Sequence, residues 1–364
     1  MKKLGEISTN KSKKYNPNNE TNFIKCIELE HLSSETGQLL GFVDGSQSGS
    51  IKNVFQKGDV LFGKLRPYLK KYYQPNFDGV CSSEIWVLNG KEILNDFLYY
   101  LIQTNSFVDL ANQSSGSKMP RADWSILENG LFSFPNSEEQ QKIASFLSLI
   151  DERIQTQNKI IKELKTLKAS TAKKIFSQEL RFKDDNGNIF SEWEVREVGE
   201  VFKITRGNVL AMNLVSNQCN EKNTYPVYSS QTKNNGLAGY YTDFLFEDAI
   251  TWTTDGANAG DVNYRSGKFY CTNVCGVLIS NEGYANSCIA EIVNSVSKNY
   301  VSYVGNPKLM NGVMSEIKIP FPSFPEQTKI ANFLSAIDSK IDMENQLLQK
   351  LEEQKKYLLQ NMFV

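Results

Sequence analysis

Apolar residues recur at alternating three- and four-residue steps in two stretches of the chain. The first runs through Leu147, Ile150, Ile154, Ile161, Leu164 and Ile175, the second through Leu334, Ile337, Ile341, Leu348, Leu351, Leu358 and Met362. A stripe with a period near 3.5 predicts a long helix whose seam faces one other helix. Each stretch opens on proline, Pro135 in one and Pro322 with Pro325 in the other, followed by Glu139-Gln140 or Glu326-Gln327. Proline suits a helix entry, and acceptor or acidic side chains suit a first turn. The first helix is expected from about Glu139 to about Phe176, a length of roughly 55 Å at 1.5 Å per residue.

The two stretches are copies. Eleven of the sixteen positions from Glu139 to Ile154 are identical to Glu326 through Ile341, at a constant offset of 187 and without a gap. Chance does not produce that match, so the chain reads as a tandem repeat. Polar residues interrupt both stripes at matching places, Gln157 and Lys168 in the first, Glu344 and Lys355 in the second, a device that fixes register at some cost in stability. A single helix of this kind also suits packing on its own domain. Two equivalent helices, each closing a domain, favour pairing with each other. Antiparallel pairing is expected to hold the attached domains at opposite ends, related by an approximate two-fold axis.

Residues 1–133 read as strand-rich. A strand is expected at Leu4-Gly5-Glu6-Ile7, another through Val60, Leu61 and Phe62 after a Lys57-Gly58-Asp59 turn, and another over Cys81–Leu88. Glu92–Ala111 is expected to be one amphipathic helix. Residues 195–320 repeat the order with other side chains. Val198-Gly199-Glu200-Val201 answers the Leu4 segment, a strand and two further strands follow from Glu247, and Asn306-Pro307-Lys308 stands 187 residues after Met119-Pro120-Arg121. A connector, Ser177–Trp193, has no second copy. The predicted fold class is therefore α+β: two mixed α/β domains in pseudo-two-fold arrangement, separated by an antiparallel coiled coil. The segments are 1–133, 134–180, 181–320 and 321–364.

At 364 residues with 40 % apolar and 22 % charged positions, the chain suits two folded cores. No apolar run reaches a membrane span and the start carries no apolar signal core, so a cytoplasmic protein with no membrane partner is expected. Six cysteines without two-residue spacing and a single histidine, His31, fall short of a zinc site, and reduced thiols are expected. Net charge is −1, distributed as +1, +2, −3 and −1 over the four segments. Nucleic-acid binding must then rest on local patches or on contacts shared with partners.

Several phrases together, GDVLFGKLRPYLKK, SSGSKMPRADW, FPNSEEQQKIASFLSLID, RFKDDNGNIFSEWEVREVGEV, GYYTDFLFEDAITW and FPSFPEQTKIANFLSAID, resemble the specificity subunit of type I restriction-modification systems over essentially the whole chain. The resemblance implies two target-recognition domains reading one half each of a bipartite double-stranded DNA sequence, held apart by the two helices. It implies a scaffold for methyltransferase subunits, as a pair, and for restriction or motor subunits. No cofactor is expected in this chain; S-adenosylmethionine, ATP and Mg belong on the partners.

Phosphate contacts need Lys, Arg or small polar donors, and base reading needs Arg, Lys, Asn or Gln at groove depth. The DNA-binding candidates in the first domain are Lys64, Arg66, Lys70, Lys71, Lys118 and Arg121. Arg66 leads, because Pro67 stiffens the chain beside it. In the second domain they are Arg206, Asn208, Gln231, Lys233, Asn258 and Lys308. The coiled-coil interface is assigned to Leu147, Ile150, Ile154, Ile161, Leu164, Leu334, Ile337, Ile341, Leu348 and Leu351. Neither a Gly-Lys-Ser/Thr phosphate loop nor an Asn-Pro-Pro-aromatic or Asp-Pro-Pro-aromatic run occurs, so no catalysis is expected here. Glu316 and Lys318 mimic part of a nuclease motif but suit an alternating surface strand better. Three other readings stand beside this one: a subunit of a methylation-only system, a small metal-dependent nuclease, and a coiled-coil adaptor without DNA.

Overall fold

The computed structural model describes residues 1–19, 22–113, 119–230 and 234–363. These form two compact units, Met1–Lys159 with Gln346–Val364, and Ile160–Asn345.

The first unit is built on Ile85–Gly90, a strand buried on both faces. Ile85 and Val87 enter one apolar cluster with Ile27, Phe55, Leu61 and Cys81. Trp86 and Leu88 enter the other with Val60, Phe62 and Phe107, as the two-residue period of a strand requires. It pairs antiparallel with Val60–Gly63 and Ser8–Thr9 in a four-stranded sheet. A five-stranded sheet runs in the order Lys14–Tyr15, Lys52–Phe55, Gly79–Cys81, Lys25–Ile27, Val43–Asp44.

Three expectations are corrected. Leu4–Ile7 is a short helix, as is Val198–Val201. Leu4 and Ile7 are buried three residues apart, which is helical spacing. Glu6 accepts from the Lys3 amide at 3.2 Å and Glu200 from the Glu197 amide at 3.0 Å, closing each first turn. Between them sit Gly5 and Gly199, where a Cβ would lie 2.8 Å from Glu128 Cβ and 3.0 Å from Ser315 Cβ. Glu128 and Ser315 are themselves 187 apart. The expected helix over Glu92–Ala111 is two, Asn95–Leu101 and Asn105–Ala111, because Thr104 ends one and caps the other. Its hydroxyl donates to the Leu101 carbonyl at 2.7 Å and accepts from the Phe107 amide at 3.3 Å. Cys81–Leu88 is likewise interrupted, with the Ile85 amide bonded to the Ser82 carbonyl at 3.0 Å and strands on either side.

The second unit carries a six-stranded sheet: Lys203–Arg206, Cys275–Ile279, Phe246–Thr253, Val262–Cys271, Tyr225–Tyr228, Leu237–Tyr241. Ile250, Trp252 and Leu278 pack against helix Ser287–Ser297 through Ile289, Ile292 and Val293. The ribbon Glu194–Glu197 with Lys318–Phe321 closes the base. There Lys318 pairs with Glu197 at 3.7 Å.

Two helices, Ser137–Phe176 of 40 residues and Phe324–Asn361 of 38, bear the apolar stripes. Of the assigned seam residues, Leu147, Ile150, Ile161, Leu334 and Ile341 are buried and the other five are half-buried. Leu147 and Ile150 also belong to the core of the first unit, and Leu334 to that of the second. Packing on the domain and packing on a helix are therefore combined in the same side chains.

In the first unit the Leu94 amide donates to Gln140 Oε1 at 2.9 Å, and Phe363 packs tilted against Phe97 at 4.9 Å between ring centres. One turn further on, Tyr100 donates to Asp151 at 3.0 Å and Lys355 pairs with Asp151 at 2.7 Å. The first helix thus ascends while the second descends: the segments are antiparallel. In the second unit Lys168 pairs with Asp338 at 2.8 Å and Glu291 at 2.6 Å, and Ile175 meets Ile330 in the core, which again is antiparallel. The pairs Lys168–Asp338 and Lys355–Asp151 are the same pair displaced by 187 residues. Burial works against a charged amine at Lys168, yet the hydrogen bonds to Asp338 and Glu291 outweigh it and raise its pKa above the usual lysine value. Gln140 and Gln327 are also equivalent: each buried amide donates to the carbonyl of the entering proline, Pro135 at 2.8 Å and Pro322 at 2.9 Å.

All six cysteines are free, and only Cys219 is exposed. Burial pushes the Cys26 thiol up to about 12 and the Cys275 thiol up to about 11, so neither forms thiolate near neutrality. Ellman titration of the native chain at pH 8 is expected to count one fast thiol, and six after unfolding. Two or more fast thiols in the native chain would contradict this packing.

Candidate nucleic-acid interface

In the first unit, strand Val60–Gly63 delivers a basic turn. The Lys64 amide donates to the Glu84 carbonyl at 2.9 Å, the Lys64 carbonyl accepts from Ala122 at 2.8 Å, and the Arg66 amide donates to the Pro120 carbonyl at 2.8 Å. Leu65 bridges Arg121. The segments 64–66 and 120–122 are thereby zipped together, bringing Lys64, Arg66 and Arg121 to one place. Arg66 and Lys70 take left-handed backbone, with φ of +52° and +46°, flanking the turn Pro67–Leu69. That conformation costs a non-glycine residue about 1–3 kcal/mol and persists only where surroundings impose it; buried Pro67 supplies the anchor. Arg66 is exposed and forms no ion pair among the described residues, while Arg121 is held to Glu84 at 3.1 Å.

The other two cations differ. Lys70 reaches Asn105 at 3.4 Å, and half-buried Lys71 donates to the Leu29 carbonyl at 2.8 Å, a link inside the protein. Lys118, Gln231 and Lys233 lie outside the described residues.

In the second unit Arg206 ends strand Lys203–Arg206 and Asn208 lies exposed two residues on. Gly207 between them is obligatory, since a Cβ there would sit 2.2 Å from the Cys271 carbonyl oxygen. Lys308 bridges Asp255 by backbone and faces its carboxylate at 4.0 Å. At the equivalent position Arg121 bridges Leu65 by backbone and pairs with a different residue, Glu84. Thr254 is buried, its hydroxyl within 2.6 Å of Asp255, and Asn258 is half-buried in the neighbouring turn.

Sequence reasoning passed over Arg265. It lies on strand Val262–Cys271, and its neighbours Tyr228, Asn235 and Thr251 come from three other segments. Nothing nearby in the chain marks it.

Among the described residues no group of three or more His, Cys, Asp or Glu is placed to hold a metal, and no helix is long and apolar enough to cross a membrane. A mixed α+β unit, repeated with different polar and basic turns and closed each time by paired helix segments, defines a tandem recognition protein. The family model for the type I restriction modification DNA specificity domain matches residues 1–166 and again 190–353. The chain belongs to this family: it is a type I restriction-modification DNA specificity protein.

A Mycoplasma pneumoniae protein described as the N-terminus of a putative type I specificity subunit is 40 % identical over 141 residues, covering 38 % of this chain and 74 % of that one. The crystal structure of the type I S subunit from M. genitalium aligns with a TM-score of 0.61 at 19 % identity, covering 100 % of this chain and 99 % of that one. A chain from structural work on complex assembly and conformational transition of the type I R-M system aligns with a TM-score of 0.61 at 16 % identity, covering 98 % and 95 %. At these identities the structural likenesses establish the fold.

Proposed function

We propose that the chain reads a bipartite DNA target, one recognition domain per half-site, and that it assembles methyltransferase and restriction subunits around itself. The observation that carries this reading is the repeat: the long helices match at an offset of 187 residues, while the turns bearing Lys64, Arg66 and Arg121 differ from those bearing Arg206, Asn208 and Lys308. Equal frames with unlike surfaces suit two unlike half-sites. Their centres are expected about one duplex turn apart, roughly 34 Å, with unread bases between. The domains are proposed as residues 1–133 and 181–320, with the helical regions 134–180 and 321–364 as a coiled-coil spacer.

Scaffolding is supported by the outer helix faces. Phe146 and Phe333 are exposed at equivalent positions, Phe333 with one edge against Phe182, and Ile160 and Leu347 are exposed at another such pair. Exposed apolar side chains at equivalent places suit two copies of one partner, here the methyltransferase subunit, which would supply S-adenosylmethionine chemistry. ATP and Mg would belong to the restriction or motor subunit, and the complex would work in the cytoplasm.

A mobility-shift assay with the chain co-expressed with its methyltransferase tests this. Sequence-selective binding is expected, and methylome sequencing is expected to return two short specified blocks. Arg66→Ala is expected to cost about 1–3 kcal/mol at the first half-site alone. A contiguous target, or no selective binding by the complex, would refute the reading.

A further inference from the structure

The second unit carries a buried arginine with no carboxylate to answer it. Arg265 is 8 % exposed. Its guanidinium lies over the Tyr228 ring at 3.7 Å. Nε donates to Thr251 Oγ1 at 3.0 Å and Nη2 to the Asn235 carbonyl at 2.7 Å. Those bonds use two of the five N–H donors that a guanidinium offers, and Nη1 has no acceptor among the described residues. Burial lowers its pKa from the usual arginine value, against opposing contributions from Tyr228, Cys275 and Cys271. An ion held this way is costly unless a counter-charge arrives.

The guanidinium lines a polar cavity of about 150 Å³, together with Ser229, Asn263 and Asn294. A water occupies about 30 Å³ of liquid, and drug-sized ligands need about 300 Å³ or more. The space therefore suits one tetrahedral phosphate group and is small for a whole drug-sized ligand. Asp261 also lines the cavity, but Lys298 engages its carboxylate at 2.7 Å. The segment 181–320 has a net charge of −3, so this unit lacks the broad basic surface that would hold a polyanion by itself. A preorganised guanidinium held by stacking and two hydrogen bonds supplies one strong contact in its place.

We propose that Arg265 and the cavity beside it form an oxyanion pocket that takes a phosphate group, in the working complex a phosphodiester of the bound DNA. The assignment to DNA rests on the function proposed above; the pocket itself rests on the geometry. Arg265→Met and Arg265→Lys are compared in the full chain co-expressed with its methyltransferase. Arg265→Met is expected to weaken DNA binding by about tenfold to a hundredfold, as loss of a charged hydrogen bond does. It is also expected to flatten the dependence of log K on log salt by about 0.9. Arg265→Lys keeps the charge and is expected to keep the slope. A purely structural arginine would lower the melting temperature and leave that slope alone, which would overturn the proposal.

A thermal-shift titration with inorganic phosphate reads the pocket without DNA. Stabilisation of wild type and not of Arg265→Met is expected. If phosphate stabilises the wild type while the DNA salt slope is unchanged in Arg265→Met, the pocket serves free phosphate and the DNA assignment falls. If the wild-type complex binds no DNA selectively, the proposed function fails, and the phosphate titration still decides the pocket.

Discussion

Glu326→Ala is expected to destabilise the second unit by about 3–5 kcal/mol, the cost of removing one partner from a buried ion pair. The Glu326 side chain is fully buried, bonded to Arg181 Nη2 at 3.0 Å and to Trp193 Nε1 at 2.8 Å. Its loss leaves the Arg181 guanidinium, itself mostly buried, leaning on the Phe190 and Ser191 carbonyls and exposed Glu192. For a unit of this size the melting temperature falls by about 2–4 °C per kcal/mol. Glu326→Gln keeps an acceptor for Trp193 and is expected to lose less. The control is the equivalent position of the first copy. Glu139 is exposed, so Glu139→Ala is expected to stay within about 0.5 kcal/mol. Equal losses at the two sites in denaturant unfolding would show that the connector is not held in this way.

The second large effect is on the DNA target itself. One heptad inserted between Ile154 and Ile161 and another between Ile341 and Leu348 lengthens both helices by about 10 Å at 1.5 Å per residue. Both Lys–Asp pairs stay outside the insertions, and a seven-residue insert preserves the stripe. The unread spacer is expected to grow by about three base pairs at 3.4 Å each, with both half-sites unchanged. Affinity is expected to fall, because the duplex turns by roughly a third of a revolution over that distance at about 10 base pairs per turn. Methylome sequencing of a strain carrying the variant reads the spacer directly. An unaltered recognition sequence would remove the ruler.

Much of the architecture was legible because it is written locally. A 3.5-residue stripe is a property of spacing along one segment, so both long helices, and the existence of a repeat, follow from residues alone. Short elements were not legible in that way. Leu4–Ile7 offers four residues, too few to separate a two-residue period from a three-residue one; the side chain of Glu6 closing on the Lys3 amide decides for helix. Glu92–Ala111 carries one continuous helical pattern, and the break depends on Thr104 choosing to bond its neighbours' backbone.

Among the candidate contacts, Arg66 with Arg121 was recoverable as a basic cluster, but their adjacency comes from backbone pairing between segments more than fifty residues apart. Arg265 was missed altogether.

The sequence by itself determined the tandem repeat, the matched helix pair and the family to which they belong. Only the tertiary structure decided which of two identical residues matters. Glu139 and Glu326 stand in the same motif, yet one faces solvent and the other is buried under Arg181 and Trp193. The cause is the connector, which has no second copy and folds back over one helix start alone. Helical periodicity depends on neighbours in the chain; charge compensation depends on distances between atoms of different elements, and those distances exist only after folding.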